Sequence, residues 1–170
     1  MIGDQRNSVP ATEESVVGSD RYVSTCGLDR MPPGRCGLGQ DGSVRKQYHF
    51  WPAADGGGFD AWDVDRLIEL SRELPVEAVP LDSIGEIDTP YWFDGSAETP
   101  TVRKVVEHTA LILEADLAYP IILGHDGRVM DGMHRVARAL MAGRSHIDAI
   151  RFPAPLEADY RNCQPRDLPY

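Results

Sequence analysis

Residues 124–138 read GHDGRVMDGMHRVAR, and this stretch decides the fold. An apolar strand at 120–123 leads into it, and the spacing of apolar residues predicts a helix at 133–142 that leads out. Between them, the Asp126-Gly127 pair predicts a tight turn, and the three residues after it predict a short second strand. The sequence therefore predicts a hairpin that passes through Asp131-Gly132 directly into a helix.

The predicted helix opens with two basic residues, His134 and Arg135. The first turn of a helix carries partial positive charge from its free N–H groups, so cations are disfavoured there. Gly132, just before the helix, allows close approach of the backbone to a ligand. We therefore predict that an anion such as phosphate binds at this helix start. In the alternative interpretation, Asp131 caps the helix and the basic side chains point to solvent.

The composition limits the partners that this chain can bind. Its 170 residues are 42% apolar and 26% charged, as in one globular domain, and the formal net charge is −10. Residues 1–45 hold six acids and five bases, which leaves 21 acids and 12 bases, a net charge of −9, for the rest. Binding of duplex DNA without sequence preference relies on Lys and Arg at phosphates. The acidity argues against DNA as a partner without excluding a local basic pocket.

The cysteines and the apolar runs indicate the cellular compartment of the protein. Cys26, Cys36 and Cys163 form no Cys-x-x-Cys pair and are odd in number, which argues against a disulfide framework and a zinc site. No apolar run approaches the ~20 residues of a membrane span, so we expect no membrane partner. A cytoplasmic location is expected, and the oligomeric state is left open.

Three segments differ in their composition. Residues 1–45 are rich in Gly, Ser, Pro and Asp and have no sustained period, which predicts a disordered or loosely packed N-terminal tail. Residues 46–152 carry the periodic apolar patterns of a folded domain. Residues 153–170 are proline-containing and lack helical spacing, which predicts a C-terminal tail that wraps the domain.

Within 46–152, the apolar periodicity and the Gly, Pro and capping residues predict the elements in order. They are a strand at 47–51, a helix at 61–74, an edge strand at 76–84, a loop at 85–97, a helix at 101–117, the hairpin, the helix at 133–142 and a strand at 146–152. Asp60 and Thr99 are predicted as the N-caps of the first two helices. This order predicts an α+β (α/β-like) fold with a small mixed sheet and flanking helices.

Apolar spacing also predicts which helix faces lie inward. The core stripe predicted for the helix at 101–117 is Val102, Val105, Val106, Thr109, Leu113 and Leu117. His108 falls off this stripe and is expected to be exposed or half-buried. The core stripe predicted for the helix at 133–142 is Met133, Val136, Ala137, Leu140 and Met141.

The loop at 85–97 is acidic and aromatic, and loops carry functional residues more often than core elements do. Its candidate functional carboxylates are Glu86, Asp88 and Asp94, and the alternative is that they are solvated loop acids. For the aromatic run Tyr91, Trp92 and Phe93, packing is the favoured interpretation.

A longer run, PIILGHDGRVMDGMHRVARALMAGRSHIDAIRF at 120–152, resembles the core of the ParB/sulfiredoxin-like superfamily. The shared features are a strand, a DG turn, a strand ending in Asp-Gly, a Gly-x-x-Arg helix start and a final strand. Upstream, VEAVPLDSIGEID at 76–88 is similar to the segment that opens ParB N-terminal domains. The resemblance covers about residues 76–152 and implies the fold of that superfamily.

Three branches of the superfamily imply different activities. Sulfiredoxins carry a nucleophilic Cys at the position of Met133, and a thioether forms no thiolate, so we expect no sulfiredoxin chemistry. ParB partition proteins bind CTP and continue into DNA-binding and dimerisation regions. Here 18 residues follow Phe152, so we expect no centromere-type DNA binding. The free serine kinase branch has Asp-Gly-His-His-Arg, which matches Asp131–Arg135 at four of five positions.

The resemblance to this kinase branch implies a nucleotide-phosphate site and a small hydroxyl-bearing substrate. It implies a nucleotide (ATP, ADP or CTP) and Mg²⁺ as cofactors, with Asp131 as the metal ligand. The implied phosphate-binding residues are Asp131, Gly132, Met133, His134, Arg135 and Arg138. The implied catalytic residues are Glu86 or Asp88 as general base and His134. The alternatives are a non-catalytic ParB-like nucleotide- or DNA-binding module and a superfamily member that has lost ligand binding.

Overall fold

A computed structural model describes residues 46–93 and 99–170. The predicted tail at 1–45 and the loop residues from Asp94 to Ala97 lie outside the described residues. The described part is a small mixed α+β fold with two sheets and three α-helices, which confirms the predicted class at that level. Within it, no helix combines the length and the apolar character needed to cross a membrane.

The elements are numbered in chain order. They are β1 (Tyr48–Pro52), β2 (Phe59–Asp63), α1 (Val64–Ser71), β3 (Val76–Pro80), α2 (Val102–Glu114), β4 (Ile121–Leu123), β5 (Val129–Asp131), α3 (Met133–Met141), β6 (His146–Arg151) and β7 (Tyr160–Cys163). Short 3₁₀ turns follow β3 at Leu81–Ser83 and Gly85–Asp88 and precede the C-terminus at Pro165–Asp167.

A four-stranded mixed sheet forms the centre of the molecule, in the order β3-β6-β4-β5. The β4–β6 pair is parallel, and the β3–β6 and β4–β5 pairs are antiparallel, so the predicted hairpin and mixed sheet are confirmed. Ile121 and Leu123 pack with Val136 of α3 in one core cluster. Ile122 packs with Leu67 of α1 in another. The three buried residues of β4 thus join helices on both faces of the sheet.

A second, three-stranded sheet, β1-β2-β7, was not predicted. β2 occupies residues expected to begin a helix, so the predicted helix start and the Asp60 cap are wrong. Ala61 is instead fully buried in the strand, and Asp63 caps α1 by accepting from the N–H of Asp65. Pairing with the aromatic strand β1 competes with the helix for these residues, and the helix begins later and is shorter.

The C-terminal segment predicted as a wrapping tail contributes strand β7, which pairs with β2. Leu168 is buried against Tyr48 and Phe50, and the Tyr48 hydroxyl donates to the carbonyl of Pro169 at 2.8 Å. The segment therefore supplies part of the second core.

Helix α2 differs from its prediction in both its start and its orientation. Thr101, not Thr99, is the N-cap, and it accepts from the N–H of Lys104 at 3.3 Å. His108 is 5% exposed, whereas Val102 is 82% exposed, so the part of the predicted core stripe that lies on α2 faces outward. Leu117, beyond the end of α2, packs against the core as predicted. The periodicity of α2 correctly identified an apolar face. The buried face is nevertheless the one that carries His108, because His108 contacts His134 and Trp92.

The faces of α3 are partly as predicted. Met133 and Val136 are buried, but Leu140 and Met141 are exposed, and Ala139 is buried instead. Gly143 ends the helix with a φ of 67°, as expected of a C-terminal glycine.

Replacement of Leu168 tests whether the C-terminal segment belongs to the core. Leu168→Ala should lower the free energy of unfolding by about 2–3 kcal/mol, because a buried side chain leaves a cavity between the strands. Urea denaturation measures this change. Leu70→Ala, at an exposed leucine of α1, is the control and should stay within about 0.5 kcal/mol of wild type. An equally small effect at Leu168 would contradict the packing.

Candidate functional site

Gly132 makes the connection from β5 to α3 without an intervening loop. It is the N-cap of α3 with a φ of 103°, a conformation that glycine tolerates far better than other residues. Among the described residues no side chain caps the helix, so the interpretation of Asp131 as a cap is wrong. Within the described residues, the backbone N–H groups of Met133, His134 and Arg135 have no acceptor. The helix start is therefore open to an acceptor from outside.

The side chain of Arg135 folds back over this glycine. A Cβ built on Gly132 would lie 2.8 Å from Nη2 and 2.9 Å from Nε of Arg135, and 2.7 Å from a methyl of Ile121. Nη2 donates to Oδ2 of Asp131 at 2.5 Å. The carboxylate offsets the unfavourable position of a cation at a helix start. The structure thus brings three predicted site residues, Asp131, Gly132 and Arg135, into contact.

The guanidinium of Arg135 is not fully satisfied. Its Nε is buried and has no hydrogen-bond acceptor within the described residues, while the side chain as a whole is 21% exposed. A buried donor without a partner costs roughly 1–3 kcal/mol. An oxyanion that reached this side chain would accept a hydrogen bond from Nε. It would also accept from the N–H groups at the start of the helix.

His134 points into a different cluster. Its Nε2 lies 3.1 Å from Nδ1 of His108, and the indole of Trp92 stacks on both rings, with centroids 4.6 Å from His108 and 4.9 Å from His134. Phe93 meets the edge of His108 at 5.4 Å. We refer to His108, His134, Trp92 and Phe93 as the histidine–aromatic cluster.

The two imidazoles share a hydrogen bond and do not converge on a metal. Their rings are nearly parallel, at 21°, and their centroids are 5.4 Å apart. The distance between the centroids is longer than the 3.1 Å between the two nitrogens by about one ring radius for each ring. The two nitrogens therefore lie between the rings and point at each other. A bound metal would need both lone pairs directed to a third point. The described residues include no group of three or more His, Cys, Asp or Glu placed to hold a metal.

Burial makes His134 a neutral residue. Loss of solvation is the largest cause, and together with the neighbouring His108 and Arg135 it lowers the pKa of His134 to about 4. The ring therefore carries no charge near neutral pH. This environment does not give His134 the cationic, phosphate-neutralising role that the sequence predicted.

The other predicted residues lie around the helix start without touching the Asp131–Arg135 pair. Oε1 of Glu86 accepts from the N–H of Val129 at 2.9 Å and so holds the Gly85–Asp88 turn against the edge strand β5. Asp88 is exposed. Met133 is buried in the core, which leaves its backbone N–H as its contribution to the site. Arg138 is partly buried one turn further along α3 and forms no ion pair within the described residues.

A cavity of about 140 Å³ lies beside the histidine–aromatic cluster. Its lining residues are Glu86, Ile87, Thr89, Pro90, Tyr91, Trp92, Phe93, Met133, Val136, Ala137 and Leu140. Tyr91 is buried, as its predicted packing role requires, while Trp92 and Phe93 are partly buried and also line the cavity. Glu86 is the one charged residue among these lining residues. The cavity therefore suits a small, mostly apolar group that can interact with a single carboxylate.

A second cavity, of about 190 Å³, lies at the turn of the hairpin. Its charged groups already satisfy one another, because Arg128 pairs with Asp126 at 2.8 Å and stacks over Trp51 at 3.7 Å. Burial lowers the pKa of His49, on its wall, to about 3. This arrangement is explained by packing without a ligand.

Sequence reasoning missed the histidine–aromatic cluster. Its members come from the loop, α2 and α3, and His108 was predicted to lie at the surface. The spacing of His108 within α2 gave no signal, because its partners are 16 and 26 positions away along the chain.

Comparisons with family models, with curated proteins and with solved structures find no match to this chain. The resemblance to the ParB/sulfiredoxin-like superfamily therefore remains a prediction from the sequence.

Two glycine substitutions test the close approach at Gly132. Gly132→Ala should destabilise the fold by more than about 2 kcal/mol, because it adds backbone strain and contacts with Ile121 and Arg135. Gly143→Ala is the matched control: φ is also positive, but nothing lies within 4 Å of the new Cβ, so about 1 kcal/mol is expected. Urea denaturation compares the two. Equal losses would contradict the close contact.

The depressed pKa of His134 predicts acid sensitivity of the fold. In the unfolded chain the ring binds a proton below its ordinary pKa of 6.5, whereas in the fold it does so only near 4. Stability is therefore complete above pH 6.5 and is lost as the pH falls toward 4, by about 3 kcal/mol for this residue.

The test compares the free energy of unfolding at pH 7 and at acid pH. Burial of His49 acts in the same direction, so the informative quantity is the difference between variants. His134→Gln should lose less stability on acidification than wild type, and His146→Gln, at an exposed histidine, should lose as much as wild type. An unchanged acid response in His134→Gln would show that this ring does not titrate as described.

Proposed function

We propose that the start of α3 binds a phosphate group of a nucleotide and that the chain is a nucleotide-dependent phosphotransferase or nucleotide hydrolase. The observation that carries this proposal is the guanidinium of Arg135 held across Gly132, with a buried Nε that has no acceptor in the part of the chain that the structure describes. At the same helix start lie three backbone N–H groups for which residues 46–93 and 99–170 supply no acceptor. Guanidinium and helix N–H groups together are the donors that bind phosphate in proteins.

The proposed roles follow from position. Arg135 and the N–H groups of residues 133–135 would bind phosphate oxygens, and Arg138, one turn away, would add positive charge. Asp131 fits Mg²⁺, because only one of its carboxylate oxygens is used by Arg135. When bound there, Mg²⁺ would neutralise phosphate charge, with waters completing its shell. The resemblance of Asp131–Arg135 to the kinase-type motif supports a nucleotide as the source of the phosphate.

The acceptor for phosphotransfer is proposed to be a small hydroxyl compound. The 140 Å³ cavity beside Trp92 is large enough only for a small group, and Glu86 on its wall is the stronger candidate for general base. Asp88, exposed in the same turn, is the second candidate.

A non-catalytic ParB-like binding module is the second proposal, and one observation favours it. Glu86 already accepts a hydrogen bond from the edge strand β5, and neither Glu86 nor Asp88 contacts the Asp131–Arg135 pair within the described residues. In that case nucleotide binding would serve a partner and not turnover. The net charge of −9 outside residues 1–45 makes DNA the less favoured partner of such a module.

Ligand-induced stabilisation tests the phosphate site. With ATP, ADP, CTP, GTP or pyrophosphate and Mg²⁺, a ligand at about a hundred times its dissociation constant should add roughly 2.7 kcal/mol to the stability of wild type. Arg135→Ala should remove that stabilisation. Arg144→Ala, which removes an exposed arginine beyond the far end of α3, is the control and should keep it. Thermal unfolding with and without ligand measures all three proteins.

A stabilisation that survives Arg135→Ala would contradict the site, and no stabilisation by any of these compounds would contradict nucleotide binding. Catalysis is tested separately with Glu86→Gln and Asp88→Asn, since an amide oxygen can still accept from Val129. Loss of phosphate release or transfer by on the order of 10²-fold or more, with binding retained, would identify the base. Binding without turnover in wild type would favour the non-catalytic module.

A further inference from the structure

The outward face of α2 is an apolar stripe exposed to water. Val102 and Val106 are 82% and 61% exposed, and Val105 and Leu113 are also exposed. These positions, with Thr109 between them, recur every three or four residues and so lie on one side of the helix. The opposite side carries the buried His108. A contiguous row of large apolar side chains at the surface marks an interaction site.

The charges beside this stripe are placed against the helix dipole. Arg103 lies in the first turn and Glu114 is the last residue of α2, where the opposite signs would be favoured. Neither side chain forms an ion pair within the described residues. They are eleven positions, about three helical turns, apart and therefore lie on the same flank of the stripe. This reversed pair of charges is therefore uncompensated by any residue in the described ranges, 46–93 and 99–170.

We propose that α2 binds the α2 of a second copy of this chain, antiparallel and around a two-fold axis. In this arrangement Arg103 faces the partner's Glu114 and Glu114 faces the partner's Arg103. Each charge then also lies at the end of the partner helix that favours it. In an antiparallel helix pair, a given flank of one helix lies next to the same flank of the other helix. Both ion pairs are therefore on one side of the contact.

The apolar stripe is self-complementary in this register. Val106 and Thr109 lie nearest the two-fold axis, where the small Thr109 allows close approach of the helices, and Val102 meets the partner's Leu113. A contact that repeats itself around a two-fold axis is the commonest way in which identical chains associate. A membrane surface would also cover apolar residues, but it would not compensate an acid and a base on one flank.

The length of α2 limits the area of the contact. A helix of 13 residues is about 20 Å long, so the interface is small and we expect dissociation in the micromolar range. Sedimentation equilibrium of the full chain over a concentration series measures it. Val106→Glu should weaken the dimer at least roughly tenfold, by placing carboxylates at the axis. Ile68→Glu, at an exposed apolar residue of α1, should leave it unchanged.

A charge exchange tests the antiparallel register. Arg103→Glu alone and Glu114→Arg alone should each weaken the dimer, and the double variant should restore it. Each single change improves the fit to the dipole of its own helix, so loss of the dimer cannot come from a weakened helix. A wild-type chain that stays monomeric throughout the series overturns the proposal. So does a dimer that survives Val106→Glu, or a double variant no better than the single ones.

Discussion

The missing side chain of Gly132 is the constraint on which the candidate site depends. A Cβ at this position would collide with Ile121 of the central strand and with the guanidinium of Arg135. Its absence lets β5 turn directly into α3, which seats the helix against β4, and lets Arg135 lie on the backbone beside Asp131. The packing of the core and the geometry of the proposed phosphate site therefore have the same origin.

The histidine–aromatic cluster decides how α2 is placed. Burying His108 allows a hydrogen bond to His134 and stacking on Trp92, which joins α2, α3 and the loop before α2. The alternative face would bury several valines, each contributing roughly 1.5–3 kcal/mol when fully buried. The fold nevertheless leaves those valines at the surface. The apolar stripe is therefore open to burial by a second protein surface.

Local signals predicted the parts of the fold that depend on neighbouring residues. The Asp-Gly turn, the β4–β5 hairpin, the edge position of β3 and the glycine at the end of α3 all came from the sequence. The second sheet did not, because β2 becomes a strand by pairing both with β1 and with β7, whose residues lie about a hundred positions later. In the candidate site, Arg135 was predicted from its position at the helix start and Asp131 from the resemblance, but the neutrality of His134 follows from burial by distant aromatics, which periodicity does not encode.

The same pair of charges limits what the proposed site can bind. Asp131 and Arg135 neutralise each other, so a free phosphate that approached Arg135 would also meet a carboxylate at short range. At the proposed site, a phosphate that arrived with Mg²⁺ would avoid this repulsion, since Asp131 would hold the metal and Arg135 would donate to the phosphate oxygens. On this assignment, the proposed site would favour a magnesium–nucleotide complex over inorganic phosphate. Nε of Arg135, which is buried and has no acceptor within the described residues, would supply a further donor to that phosphate.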